Sequence, residues 1–446
     1  MKGTALRRLW TAQDLRNRLL ITVALLVLYR LAAHVPVPGV DRAAIAQILQ
    51  SATGTGNLLS LFDLLSGGTV SNFSVLAMGV YPYITAQIIL QLMVPIVPAL
   101  KQRMEEDPRE GRQFIERWTY YLAIPMASLN AIGQIRLFQA SGLNVLPHFG
   151  FEGDNLLPTI TTLITMTAGT MFAIWLGELI SEYGIRNQGL SLIIFSGIVS
   201  GLPSSVGQLW SDEATRYSGL ALFLALVAIT VFAIVVVTQG RRNVPVMYPG
   251  KRVGRRQSMP VRGALPLLVN MAGMIPIIFA SAILSFPAII AQLFTQSQTQ
   301  WVRNIALGMQ DLFANQQNWG YITIYFFMVV LFAFFYTDVL FQQQNYGENL
   351  KRVGAQVPGV TKGAPTQRYL NKVLRRITLP GATLLGTVAV LPLLVGVMFI
   401  GVTSGRNAFF AIGSGLLIVV GVVKETFFGL ETELKLRGYD DSLLVH

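Results

Sequence analysis

Long apolar stretches separated by short polar ones run the whole length of the chain. A helix needs about 20 mainly apolar residues to cross the hydrocarbon core of a bilayer. Ten segments carry that pattern, at about 19–35, 73–94, 118–138, 156–177, 188–206, 217–239, 266–290, 320–342, 377–402 and 408–428. The first follows a basic start (Lys2, Arg7, Arg8, Arg16, Arg18) and runs into Pro36 and Pro38 with no small-residue cleavage site. It therefore reads as a retained helix rather than a signal peptide, with Arg30 able to snorkel to the interface.

One segment fits neither loop nor span. Between the first two spans, residues 57–68 read Asn-Leu-Leu-Ser-Leu-Phe-Asp-Leu-Leu-Ser-Gly-Gly. Leu58, Leu61, Phe62 and Leu65 recur at helical spacing, and the glycine pair stops the helix. It is too short to cross a bilayer. Either it lies flat on the outer surface, or it is re-entrant and shielded by protein or water.

Composition agrees with a membrane class. Of 446 residues, 52% are hydrophobic and 13% charged, against about 25% charged in soluble proteins. The pattern predicts an all-α integral membrane protein. Absence of cysteine excludes disulfides and thiolate catalysis. His34, His148 and His446 are too scattered for a histidine metal or haem centre, so no cofactor is expected. No phosphate loop, Gly-x-Ser-x-Gly elbow or His-Glu-x-x-His stands in the chain, so no enzyme activity is expected. Glu178 lies at a helix end and Asp338 near the inner end of the eighth span. The scarcity of carboxylates at the midplane argues against a proton-coupled pump.

The net charge of +12 has a topological explanation. With the N-terminus inside, 28 of the 34 lysines and arginines fall on inside segments, as the positive-inside rule requires. Ten spans then put the C-terminus inside as well. Two inside loops, 240–265 and 343–376, hold seven basic residues each; the first has no acid and the second only Glu348. Loops of that length and charge read as docking surfaces. Ten helices divide into two fives, with boundaries at 1–206 and 207–446. An odd number in each half suits an inverted repeat.

Polar residues inside spans include Gln87 and Gln91 in the second and Asn270 in the seventh. Such groups prefer to face another helix. Pro82, Pro276 and Pro287 can bend these helices, and Gly79 and Gly273 allow close approach.

Several of these stretches resemble the SecY family of protein-conducting channels. Tyr81-Pro-Tyr-Ile-Thr-Ala-Gln-Ile-Ile-Leu-Gln91 is similar to that family's second helix, and Leu61-Phe-Asp-Leu-Leu-Ser-Gly-Gly68 to its plug. Trp175-Leu-Gly-Glu178, Gly184-Ile-Arg-Asn-Gln-Gly189 and Ile193-Ile-Phe-Ser-Gly-Ile198 resemble its fourth-to-fifth turn and fifth helix. Val269-Asn-Met-Ala-Gly-Met-Ile-Pro276 with Ile278-Phe-Ala280 resembles its seventh helix. Asn349-Leu-Lys351 and Val357-Pro-Gly359 resemble the loop between its eighth and ninth. Two positions differ: Thr361-Lys362 follows Val357-Pro-Gly-Val360 where an arginine is usual, and Leu268 replaces a common basic residue.

The resemblance implies two inverted five-helix halves around a central pore in the bacterial cytoplasmic membrane. A plug would cover 57–68 (Leu58, Leu61, Phe62, Asp63, Leu65). A pore ring would comprise Ile84, Ile88, Leu190, Ile194, Ile278 and Ile418. A lateral gate between helices two and seven would carry Gln87, Gln91 and Asn270. It further implies SecE and SecG as partner subunits, with the SecA ATPase or a translating ribosome as motor. Arg241, Arg242, Arg255, Arg256, Lys351, Arg352 and Lys362 would receive that motor. Signal peptides and nascent chains would pass through the pore or into the lipid bilayer. An aliphatic collar suits such cargo, since it fits varied side chains and hinders ions by dewetting. A secondary transporter with a midplane solute site is the rival class; an intramembrane enzyme lacks any visible constellation.

Overall fold

The computed structural model describes residues 13–41, 73–140, 146, 149–150, 155–186, 188–211, 216–249, 252–253, 256–257, 261–295, 298–315, 318–344, 346–398 and 406–436. In order, the elements are α1 (Gln13–Ala32), α2 (Tyr81–Ile96), α3 (Pro98–Glu106), α4 (Pro108–Ala140), α5 (Leu156–Tyr183), α6 (Gly189–Ser211) and α7 (Arg216–Gln239). Four strands follow: β1 (Arg241–Tyr248), β2 (Arg252–Val253), β3 (Arg256–Gln257) and β4 (Val261–Leu268). The remainder are α8 (Ile275–Phe294), α9 (Gln300–Ala314), α10 (Trp319–Gln344), α11 (Tyr346–Arg352), α12 (Ala364–Met398) and α13 (Arg406–Leu436).

Helices stand at all ten predicted apolar segments. Among the described residues, four helices are long and apolar enough to cross a membrane by themselves: Leu156–Tyr183, Tyr217–Gln239, Trp319–Arg352 and Ala364–Met398. A fifth candidate is the pair Tyr81–Val94 and Pro98–Met104, bent by 93°. The bend falls at Val97, whose extended backbone immediately precedes Pro98. Proline disfavours helical backbone in the residue before it, so the break is local chemistry.

The chain divides into two compact units, each built from separate stretches. The first comprises Met1–Leu224, Ser281–Ile322 and Leu393–His446; the second comprises Ala225–Ala280 and Thr323–Pro392.

In the first unit, a buried core joins Val37, Phe73 and Ala77 to Ala131, Ile135 and Phe138 of α4, Met166 of α5 and Ala288 of α8. Phe73 and Phe138 meet edge to face at 5.0 Å, a favoured aromatic geometry. The Val37 and Val75 N–H groups donate to the Phe73 and Val35 carbonyls, tying residues 35–37 to 73–75. Small residues permit the closest approaches. A Cβ on Gly169 would collide with the Val75 backbone, and one on Gly133 with the Ile289 side chain. The Thr22 hydroxyl of α1 accepts the Ile185 N–H at 3.2 Å, fastening α1 to the turn after α5.

The second unit departs from an all-helical picture in one place. β1 and β4 pair antiparallel, from Arg241 opposite Leu268 to Tyr248 opposite Val261, and β2 pairs with β3. The apolar run 266–290 therefore begins as strand, and its helix starts only at Ile275. Likewise 364–376, expected as loop, is the first part of α12.

Candidate functional site

The start of α2 is shaped by Pro82, which sits in the first helical turn where its missing N–H costs nothing. That start presents Tyr81, 4% exposed, whose hydroxyl donates to the Ala282 carbonyl of α8 at 2.7 Å. A second contact meets α8 further along, where Ile289 occupies the space left by Gly133 of α4. Both α2 and α4 thus contact the part of α8 from Ser281 on, which belongs to the first unit.

The candidate gate amides are handled differently from one another. Gln87 and Gln91 are half-buried on α2, and the Gln91 Oε1 is buried without a hydrogen-bond partner. Asn270 is buried and donates from Nδ2 to the Gly273 carbonyl at 2.9 Å. That bond serves the turn entering α8, where Gly273 takes a φ of 63°, a conformation glycine adopts freely.

Two buried amides on α4 were absent from the sequence expectations. Asn130 is 2% exposed and Gln134 3% exposed. Both Asn130 amide atoms and the Gln134 Oε1 lack a hydrogen-bond partner. They stand four residues apart, one turn along a single face. Two amides at that spacing inside the apolar segment 118–138 were a readable signal.

The six candidate pore residues lie on four helices. Ile84 and Ile88 are buried one turn apart on α2, Ile194 is buried on α6, and Ile418 on α13, which packs against α6. Ile278, on α8 in the second unit, is half-buried. Leu190 is half-buried and packs against Tyr83, Ala86, Ala123 and Ile174, with its tip over Gly177.

The two basic segments share one core in the second unit. Val244 and Val246 of β1 and Leu267 of β4 pack with Phe341 of α10, Leu350 of α11, Val357, and Leu370 and Leu374 of α12. Met247 and Gln356 exchange backbone hydrogen bonds at 2.8 and 2.9 Å, joining the hairpin to the stretch after α11. Arg241, Arg242, Lys351, Arg352 and Lys362 are exposed on this body. Lys351 lies 3.7 Å from Glu348, and Arg375 of α12 pairs with Asp338 of α10 at 2.7 Å. The result is a basic platform. Arg256 belongs to β3. Arg255 and the plug positions Leu58, Leu61, Phe62, Asp63 and Leu65 lie outside the described residues.

Several apolar helices, close glycine-mediated packing and an exposed basic platform define a multi-span α-helical membrane protein. The SecY family model matches residues 74–427. The protein translocase subunit SecY of Streptomyces scabiei is 35% identical over 453 residues, covering 99% of both chains. That of Streptomyces griseus is 37% identical over 449 residues, again covering 99% of both. A solved structure described as "a protein conducting channel" aligns with a TM-score of 0.60 at 17% identity, covering 96% of this chain and 93% of that one. The chain belongs to the SecY family, and by that membership is a membrane translocase subunit.

Proposed function

We propose that this chain is the protein-conducting channel of a bacterial cytoplasmic membrane. It passes unfolded secretory chains across and releases transmembrane segments sideways into lipid. The observation that carries this reading is similarity to translocase SecY subunits along nearly the whole chain. It is a conduit and not an enzyme; the driving force comes from partners.

In this reading ten spans form two five-helix halves (1–206 and 207–446), with both termini cytoplasmic. Ile84, Ile88, Leu190, Ile194, Ile278 and Ile418 form the collar through which the cargo threads. The segment 57–68 plugs the outer funnel, with Leu58, Leu61, Phe62, Asp63 and Leu65 as its candidate contacts. α2 and α8 form the lateral gate, with Gln87, Gln91 and Asn270 as polar members. The Tyr81–Ala282 contact supports that pairing because it joins these two helices directly.

SecE and SecG complete the complex, and SecA or a translating ribosome docks on Arg241, Arg242, Arg255, Arg256, Lys351, Arg352 and Lys362. What supports this docking is the shared core under the two basic segments, which makes one surface of two loops. Acidic protein patches and RNA phosphates both suit it. Lys362 offers a point cation rather than a planar fork.

The chain contains no cysteine, so one introduced at Ile278 is unique. In membrane vesicles it should crosslink to a secretory chain stalled in transit. A folded complex that forms no adduct with any stalled chain would overturn the channel reading.

A further inference from the structure

We infer that Tyr81 is a latch that holds the lateral gate shut, through the hydrogen bond from its hydroxyl to the Ala282 carbonyl. This rests on the channel reading above, in which α2 and α8 separate to admit a signal segment.

Tyr81 sits in the first turn of α2, buried, with its hydroxyl 2.7 Å from a main-chain oxygen in the middle of α8. The next turn of α8 holds Ser285, whose own hydroxyl is committed to the Ser281 carbonyl at 2.8 Å. Thr85, one turn along α2, is committed in the same way to the Tyr81 carbonyl. The phenol also lies within hydrogen-bonding reach of both hydroxyls, so it meets α8 at the Ala282 carbonyl and at Ser285.

The acceptor is a backbone carbonyl, so every side chain at position 282 leaves the bond possible. Separating the helices takes the phenol from its α8 partners and leaves it Thr85 on its own helix, in a region where water is scarce and each lost bond is costly. The closed state gains the bond and the open state forfeits it. Bonds of this kind between membrane helices shift an equilibrium by roughly threefold. A strongly apolar signal segment, with ample binding energy, overcomes that factor easily. A weak one does not, so the latch sets stringency.

Tyr81→Phe removes the hydroxyl and keeps the ring. The test is translocation in proteoliposomes carrying the complete complex, with two precursors that differ only in the hydrophobicity of their signal. Relative to the unaltered complex, Tyr81→Phe should raise the weak-to-strong transport ratio roughly threefold. A ratio is insensitive to how much complex folds, and Tyr81→Met serves if the phenylalanine variant does not accumulate. An unchanged or lowered ratio would overturn the latch, even if heat stability also falls, because a merely structural role lowers both precursors together. If the unaltered complex transports neither precursor, the channel reading fails instead.

Discussion

The candidate gate region and the basic platform differ in how their side-chain amides are partnered. On the platform several groups close a bond nearby, while the Thr337 and Thr378 hydroxyls and the Asn371 Oδ1 are buried without a partner. The Gly347 N–H donates to the Gln367 Oε1 at 2.7 Å, the Thr366 hydroxyl to the Thr361 carbonyl at 2.8 Å, and the Asn349 amide to the Gln344 carbonyl at 2.8 Å. Beside the gate, Asn130 is more deeply buried than any of these amides and has neither amide atom paired. A buried unpaired polar group costs about 1–3 kcal/mol. The candidate gate region holds an unmet demand at Asn130 and Gln134.

The largest expected effect breaks the platform. Phe341 is fully buried in the core shared by both basic segments, and Phe341→Ala should cost about 3–5 kcal/mol. Limited proteolysis would then cut within 240–268 in the variant under conditions that spare the parent. Equal protection would mean that the hairpin is held by something other than this core. The next effect has the opposite sign. Asn130→Leu replaces unpaired amide atoms with an apolar group of similar size and should stabilise the complex by about 1–3 kcal/mol, read as a higher thermal midpoint. A lower midpoint would mean that the amide is bonded in the assembled protein. The smallest concerns the Arg375–Asp338 pair, whose arginine side chain is 63% exposed. Exposed pairs contribute at most about 1 kcal/mol, so Asp338→Asn should move the midpoint little, and less still in high salt. A large shift would make this pair part of the platform's frame.

Those contrasts bear on what the sequence could reveal. The helices were legible because an apolar run of about 20 residues has few alternatives in a bilayer. The hairpin was not. Residues 264–269 read Ala-Leu-Pro-Leu-Leu-Val, and a continuous apolar run does not distinguish strand from helix. Its neighbours in space, Leu370 and Leu374, lie far along the chain. The amphipathic α9 also escaped notice, because 300–314 is too polar for a span and its buried Ala306 and half-buried Phe313 gain meaning only against the packed unit. At the candidate gate, residue types were readable and partnerships were not. Gln91 and Asn270 look alike in sequence, yet the Oε1 of the first is buried without a partner and the second closes its own turn. Tyr81 stood inside a quoted motif with no role, since its acceptor is a carbonyl that no side chain announces.

The bonds between Met247 and Gln356 also set a schedule for synthesis. While the chain is being made, the first basic segment emerges long before the residues that form its floor. It must wait as an unsupported hairpin until α10 has been inserted and α12 has begun to appear. Pairings between distant stretches form late and slowly. A newly made channel therefore completes the platform proposed as its docking surface among its last acts of folding.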